Sequence, residues 1–530
     1  MPCVEDGLRT LLAARSQGRI ARFKPGQWET ISALLDKREE GGVLLIQRTG
    51  WGKSLVYFAA ALGLRGRGEG PVLLISPLVS LMRDQVSAAR GLGIDARAFA
   101  GADGGGWEDI GAVLTDGSAD IVMMSPEKLA SCDGTNPHLK NALARVSLLA
   151  IDEAHCLSDW GHDFRPDYRR IRRLIADNLS PGTPVLATTA TANSRVIEDL
   201  KRELGLGRIV SGPLIRESLA LQILSLPSLA HHYAWIAQRL PHLPGSGIVY
   251  VQTRRGAEQL AAWLASRGID APAYHAGLAD DGERVRLEDS LREDRVKALT
   301  ATSALGMGFD KPDLSFVFHL GTPLSPAHYY QQVGRAGRAL KQAHGVLLAG
   351  PEDDALARRL IGDAYPPQAA LRETLDAIED CEDGIGERTL AAMLDWPEVT
   401  VRSCLRVMAA AETPPIRRSN GRWHPTFHPF TLDSEEQERR ARQRLAEWDR
   451  MTDYAAHHGC LMRFLTGELG DPDQTPCGRC ANCLGRPALP PGVSRRELKR
   501  ARNWMARAGV KDDPAPSPGW VRALRALFRI

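Results

Sequence analysis

The sequence predicts an α/β protein with two parallel-sheet domains in tandem, and three observations carry that prediction. Short, uniformly apolar runs alternate with helical patterns from about residue 43 to 212, as strands buried on both faces of a helix-covered parallel sheet require. A second series of the same kind begins near residue 247. Between the first run and a helical pattern stands Thr49-Gly-Trp-Gly-Lys-Ser54, the context of a phosphate-binding loop.

In chain order, the first domain (1–212) has its expected strands at 43–47, 72–76, 121–125, 148–151 and 185–188. A connection containing Gly and Pro at about 205–216 leads to a second domain (213–362), with strands at 247–251, 296–300, 316–320 and 345–349. Residues 363–432 have the outline of a winged helix: helical patterns at 386–394 and 399–408, then two short strands joined at Asn420-Gly421. A charged helix and four clustered cysteines form a helical metal-binding module at 433–486, and 487–530 is a basic helical tail. From 484 onward there are eleven Lys/Arg against three Asp/Glu.

The composition is that of a globular multidomain protein, 530 residues long with 43% hydrophobic and 25% charged residues. A net charge of +3 gives no global signal for nucleic acid, so any such contact must be local. No apolar run reaches the length of a membrane span, about 18 residues or more, and the start of the chain lacks a secretory pattern. Nine cysteines in that setting indicate a reducing cytoplasm and metal ligation in preference to disulfides.

The chemistry gathers in a few stretches. Gly50 and Gly52 let backbone N–H groups approach phosphates, Lys53 reaches the β- and γ-oxygens, and Ser54 ligates Mg²⁺. Gln47 occupies the first glycine position of the usual eight-residue pattern. Asp152 and Glu153 end an apolar strand; Asp152 is placed to hold Mg²⁺ through water and Glu153 to orient or deprotonate the attacking water. In the second domain, Gln331 begins a segment that carries Arg335 and Arg338 on one helical face, cations suited to a transferring phosphoryl group. Just after the carboxylates, Trp160, His162, Phe164 and Arg165 suit base stacking and phosphate pairing. Cys460-x16-Cys477-x2-Cys480-x2-Cys483 suits tetrahedral, structural Zn²⁺.

The order and wording of these segments resemble the RecQ family of superfamily 2 DNA helicases, over roughly residues 20–350 and 445–483. Phe23-Lys-Pro-Gly-Gln27 resembles the family's adenine-reading motif, which implies base contacts from Lys24 and Gln27. Ser76-Pro-Leu-Val-Ser-Leu-Met-Arg-Asp-Gln85 resembles a strand-tracking motif, which implies DNA contacts from Ser76, Pro77 and Gln85. Ser125-Pro-Glu-Lys-Leu129 resembles a second such motif, and Ala187-Thr-Thr-Ala-Thr191 the coupling motif. Tyr274-His-Ala-Gly277, Ala304-Leu-Gly-Met-Gly-Phe-Asp310 and the segment from Gln331 to Arg338 follow in the family's order. They imply nucleotide contacts from Thr49, Gly308 and Asp310, and DNA contacts from Thr253 and Thr302. The stretch from Cys156 to Pro166 is similar to the aromatic-rich loop of RecQ proteins, and the zinc module has the same 16-2-2 spacing.

The resemblance thus implies two RecA-like domains followed by a winged-helix-like domain and the zinc module. It implies a 3′-to-5′ ATP-dependent DNA helicase of repair or recombination that uses ATP, Mg²⁺ and Zn²⁺. The expected partner is single-stranded DNA and tailed or forked duplex, with the chain acting as a monomer. Two other readings stand beside it: an RNA helicase, and an ATP-switched DNA-binding regulator with little unwinding. Four departures from the pattern are visible. Lys24 stands for the usual Arg, Ile20 for an aromatic, and Trp51 for a glycine. Trp51 is then a lid over the loop, or a contact to nucleotide or to the second domain. The winged-helix-like segment precedes the zinc cysteines where the family usually has it after them, as in a divergent branch of the RqlH type.

Overall fold

The computed structural model describes residues 2–512 apart from 17, 19–21, 37–40, 78, 100–106, 127, 129–136, 159–170, 172–177, 279, 307–308, 382, 410, 412, 420, 427, 429–433 and 474. The first sheet is built from β1 (Gly42–Ile46), β2 (Val72–Ile75), β3 (Ala96–Phe99), β4 (Ile121–Met124), β5 (Leu148–Ile151), β6 (Val185–Thr189) and β7 (Leu206–Ser211). All pairings are parallel, in the order β3-β4-β2-β5-β6-β1-β7. The inner strands are buried along their whole length, which is why they read as bare apolar runs.

The two edges escaped that reading because an edge strand need not be apolar on both faces. In β3 and β7 buried and exposed residues intermix, and β7 takes up half of what the sequence marks as a linker. The second sheet holds β8 (Leu219–Ser225), β9 (Gly247–Val251), β10 (Ala273–Tyr274), β11 (Ala298–Ala301), β12 (Phe316–Leu320) and β13 (Ala343–Ala349), again all parallel, in the order β10-β11-β9-β12-β13-β8. These are the two RecA-like domains.

The segment after them has a core of its own, made of Leu371, Ile378, Leu390, Val401, Leu405, Met408 and Ile416. Helices Gln368–Glu379, Glu387–Leu394 and Glu398–Ala409 surround it with an antiparallel hairpin of β14 (Ile416–Ser419) and β15 (Arg422–Pro425). Ile385 adds a bridge to Trp423, completing a small winged-helix-like unit.

The last two segments are built into the second domain on opposite faces of its sheet. Helices Ser434–Ala455 and Leu461–Glu468 bring Trp448, Met451, Tyr454, Leu461 and Leu465 into one cluster with Tyr329, Tyr330 and Val333. Helix Arg495–Ala508, expected as a basic tail, brings Ala501 and Met505 into the other cluster, with Tyr233, Trp235 and Trp263.

Trp448 shows how firmly the zinc module is attached: it is fully buried, and its indole N–H donates to Asp354 Oδ1 at 2.9 Å. Trp448→Ala should therefore cost about 3–5 kcal/mol. The check is the urea midpoint of the second domain's unfolding transition, and an unmoved midpoint would mean this helix is not part of that core.

Candidate active site

The C-terminal ends of β1, β5 and β6 lie side by side in the sheet and carry the catalytic groups, the position where open α/β sheets bind ligands. After β1, Gly50 and Gly52 adopt φ of 79° and 104°, a region glycine enters without steric cost. Helix Lys53–Arg65 begins directly after Gly52, so its first N–H groups are available to an anion. Lys53 Nζ donates to the Gln47 carbonyl at 3.1 Å. Burial lowers its pKa, and Glu153 and Asp152 oppose that shift. Gln47 is accommodated because Gly212 has no side chain: a Cβ there would stand 2.3 Å from Gln47 Nε2.

The expected base-reading residues are turned onto the loop itself. Lys24 Nζ donates to the Trp51 carbonyl at 2.7 Å, and Gln27 Nε2 to the Gly52 carbonyl at 3.2 Å. Gln27 Oε1 accepts from Lys24 N at 2.8 Å. In this state both residues shape the phosphate loop, and their polar groups are engaged there. Trp51 is 8% exposed and belongs to the first domain's core, against which Phe23 and Trp28 pack.

Asp152 is buried, and each of its oxygens is held. Oδ1 accepts from Thr188 Oγ1 at 2.6 Å and from the Glu153 N–H at 3.0 Å, and Oδ2 accepts from Gln85 Nε2 at 3.0 Å. Gln85 Nε2 also donates to Tyr57 Oη at 2.8 Å. Burial, with Asp152 nearby, raises the Tyr57 pKa well above its usual range, so the phenol stays protonated. Gln85 and Ser76 were assigned to DNA, yet both are buried, at 4% and 0% exposure. Gln85 Nε2 is instead engaged with Asp152, the carboxylate expected to hold Mg²⁺.

Glu153 has a positive φ of 49°, a strained setting of the kind found at functional sites. Its Oε2 lies 3.4 Å from His155 Nδ1, and that nitrogen is 3.0 Å from Thr189 Oγ1. Thr189 Oγ1 bonds to the Thr191 backbone, and Thr191 Oγ1 accepts from Gln331 Nε2 of the second domain at 3.2 Å. A chain of polar groups therefore runs from Glu153, through Thr189 and Thr191, and across the cleft to Gln331.

Two arginines complete the crossing. Arg338 lies so close to the loop that a Cβ on Gly50 would meet its Cδ at 3.0 Å, and it pairs with Asp310 at 2.6 Å. Arg335 stays within its own domain, donating to the Phe309 carbonyl at 2.9 Å. Arg216, which carries no sequence signal, is buried in the connection and donates to the Thr49 carbonyl. Burial lowers its pKa to about 10, so it remains a cation at neutral pH. The Nε atoms of Arg338 and Arg216 are buried without a hydrogen-bond partner. Beside Lys53, Ser54 and Asp152 these groups fit the phosphates and Mg²⁺ of a nucleotide.

The four cysteine sulfurs lie within 4.8 Å of one another, against about 3.8 Å for thiolates around tetrahedral zinc. Backbone N–H groups of Cys477, Cys480 and Cys483 donate to Cys460, Cys477 and Cys480 Sγ at 3.2–3.4 Å. Burial pushes the Cys483 thiol up to about 11, the neighbouring thiols raise Cys477, and hydrogen bonds from Cys477 and Cys480 lower Cys460. The thiols fit Zn²⁺, with no position left open for catalysis.

The remaining expected residues are dispersed. Thr253 is exposed and caps helix Arg254–Ser266, and Thr302 accepts weakly from the Ala304 N–H at 3.4 Å. Pro77 is buried beside Ser76. Trp160, His162, Phe164, Arg165 and Gly308 lie outside the described residues. Sequence reading missed Tyr57, Thr188 and Arg216. Tyr57 left a trace, four residues after Lys53 on the same helical face, and Thr188 lies inside the Ala187–Thr191 segment although it was not singled out.

The comparisons agree with this geometry. Residues 24–200 match the DEAD/DEAH box helicase model, 232–340 the helicase conserved C-terminal domain, and 426–484 the RecQ zinc-binding domain. Fold and site therefore define a two-domain helicase core with an attached zinc module. The probable ATP-dependent DNA helicase RecS of Bacillus subtilis is 30% identical over 481 residues, 87% of this chain and 89% of that protein. RecQ of the same organism is 30% identical over 87% of this chain, and RecQ of Haemophilus influenzae 35% over 67%. The chain belongs to the RecQ family of ATP-dependent DNA helicases. It matches 64% and 56% of the length of those two RecQ proteins. The fold is also that of the Mycobacterium smegmatis helicase Lhr bound to single-stranded DNA and AMP-PNP, with a TM-score of 0.53 at 19% identity over 81% of this chain and 61% of that one. The helicase MrfA bound to DNA and AMP-PNP gives 0.55 at 20% identity, over 81% and 63%.

Gln85→Leu removes the donor to Asp152 at similar volume. Since a hydrogen bond to a charged group contributes about 1.5–3 kcal/mol, the Mg²⁺ concentration that half-saturates nucleotide binding should rise about tenfold or more. Titrating Mg²⁺ against a fluorescent, non-hydrolysable ATP analogue measures this. An unchanged Mg²⁺ midpoint with lowered thermal stability would reduce Gln85 to a packing role.

Proposed function

We propose that this chain is an ATP-dependent DNA helicase that moves 3′ to 5′ along single-stranded DNA and opens duplex ahead of it. Repair or recombination of DNA in the cytoplasm is the setting that fits. The observation that carries the reading is the crossing of the cleft: Arg338 rests on the phosphate loop while Gln331 completes a polar chain back to Glu153. A binding module has no need of groups placed this way. A motor needs them, because hydrolysis at one domain must be felt by the other.

The roles follow from the positions. Lys53 and the loop N–H groups bind the phosphates, and Ser54 and Asp152 hold the metal, which shields phosphate charge when bound. Glu153 orients the attacking water and takes its proton, with His155 fixing the carboxylate. Arg338 and Arg216 stabilise the charge that builds on the transferring group. When that charge leaves, the two arginines and Gln331 lose their reason to stay on the first domain, and the cleft opens. Each opening shifts the domains along the strand, whose phosphates and bases meet the motif loops and the aromatic stretch from Trp160 to Arg165. The segment divisions at 212, 362, 432 and 486 are our proposed domain boundaries.

Unwinding of 3′-tailed, 5′-tailed and forked duplexes with ATP tests the reading. Strand separation on 3′-tailed and forked DNA but not on 5′-tailed DNA is expected. Activity on 5′ tails alone would reverse the polarity, and stronger ATPase stimulation by RNA than by single-stranded DNA would move the chain to RNA. Arg338→Ala should lower DNA-stimulated kcat by about 10³-fold with nucleotide affinity nearly unchanged. Arg165→Ala should retain nucleotide binding while losing most of the stimulation by DNA, and full stimulation in that variant would remove Arg165 from the coupling path.

A further inference from the structure

Helix Arg495–Ala508 is fixed by its inner face. Ala501 and Met505 are buried, and the Trp504 ring lies 5.8 Å from Trp263 and 6.1 Å from Tyr233. The approach to the helix is tied as well: Leu489 N donates to Gln222 Oε1 at 2.7 Å, and Trp235 Nε1 and Arg239 Nε both donate to the Pro490 carbonyl at 3.0 Å. Glu497, the one carboxylate in the helix, is buried and held by Arg267 at 2.7 Å and Arg500 at 3.2 Å.

The outer face is of one sign. Arg495, Arg496, Lys499, Arg502 and Arg507 are all exposed. Among the described residues only Arg502 of these five has a carboxylate within ion-pair distance, Asp512 at 3.7 Å. On three other helices exposed cations are answered locally: Arg358 with Asp354, Arg402 with Glu398, and Arg442 with Glu438, at 2.8–3.2 Å. In a chain with a net charge of only +3, five exposed cations on one helix are a local concentration of charge. Arg495 and Arg496 also sit in its first turn, where the helix dipole disfavours cations.

We propose that this face is a second nucleic-acid contact, one that takes the phosphate backbone of duplex DNA. Twelve residues separate Arg495 from Arg507, about 18 Å along the axis, enough to meet several phosphates of a duplex that carries one about every 1.7 Å. Duplex is favoured over single strands because the face has no stacking platform. Its one aromatic, Trp504, is turned inward against Tyr233 and Trp263, whereas single-strand surfaces combine charge with exposed rings. The contact is separate from the motor. Val249 and Val251 of β9 face this helix's cluster, while Ile248 and Tyr250 face the cluster of Tyr329, Tyr330 and Val333. The inference rests on the helicase reading only for the identity of the polymer.

The test compares the full chain with a variant carrying Arg495→Gln, Arg496→Gln, Lys499→Gln and Arg507→Gln. Fluorescence anisotropy with a blunt duplex and with a single-stranded oligonucleotide is read without ATP at several salt concentrations. Duplex affinity should fall about tenfold or more, and the slope of log affinity against log salt should shrink by about 2–4, one unit for each phosphate that the variant no longer neutralises. Single-strand binding and single-strand-stimulated kcat should stay within about twofold, a margin far below the salt-linked loss. An unchanged duplex slope overturns the proposal. Equal losses on both nucleic acids overturn its assignment to duplex, and poly-glutamate competing as well as duplex overturns its assignment to nucleic acid. A wild-type chain whose ATPase ignores single-stranded DNA would instead sink the helicase reading, while the duplex titration would still decide the role of this face.

Discussion

The contact of Arg338 with Gly50 is the constraint on which the working arrangement depends. An arginine from one domain can lie on the phosphate loop of the other only where that loop has no side chain, and a Cβ at Gly50 would close the gap to 3.0 Å. The same glycine has a positive φ, so two independent demands fall on one residue. With the guanidinium in place, Lys53, Arg216 and Arg338 gather around a site whose carboxylates, among the described residues, are Asp152, Glu153 and the Asp310 that pairs with Arg338. Burial, first of all, lowers the pKa of each of the three cations.

Two routes connect this site to the rest of the molecule. One is the polar chain through His155, Thr189, Thr191 and Gln331. The other is the connection between domains, pinned on several sides. Arg48 donates to the Ile215 carbonyl at 2.8 Å, Tyr330 Oη to the Leu214 carbonyl at 2.7 Å, and the Leu214 N–H to Asp471 of the zinc module at 3.1 Å. The zinc module therefore touches the hinge itself. Its four thiols lie in a short segment whose Asp471 accepts from the backbone that joins the two domains.

The accessory elements divide the second domain's two faces between them. The zinc helices share a core with the segment that presents Gln331 and Arg338, whereas the basic helix covers the opposite face. The winged-helix-like unit keeps its own core. This chain therefore places its post-zinc segment directly on the motor domain, at the position in the chain where the family usually has a winged helix.

The inner strands, the phosphate loop, Asp152-Glu153 and the zinc cysteines were legible from the sequence because each is a local pattern. A strand buried on both faces must be apolar throughout, and a loop that wraps phosphate must be glycine-rich. Four thiols that share one ion must likewise lie at short spacings. Edge strands β3 and β7 were hidden because one exposed side relaxes the apolar requirement. The placement of Gln85, Tyr57, Thr188 and Arg216 was decided only by tertiary structure. Each acts through a partner at least 28 residues away in the chain, so no spacing along the sequence encodes it. The same holds for Lys24 and Gln27, whose motif announces a base contact while their side chains bind the loop carbonyls. Sequence determined which groups are present and which segment each belongs to; folding determined which of them meet, because burial leaves each polar atom only the partners that the packing brings within reach.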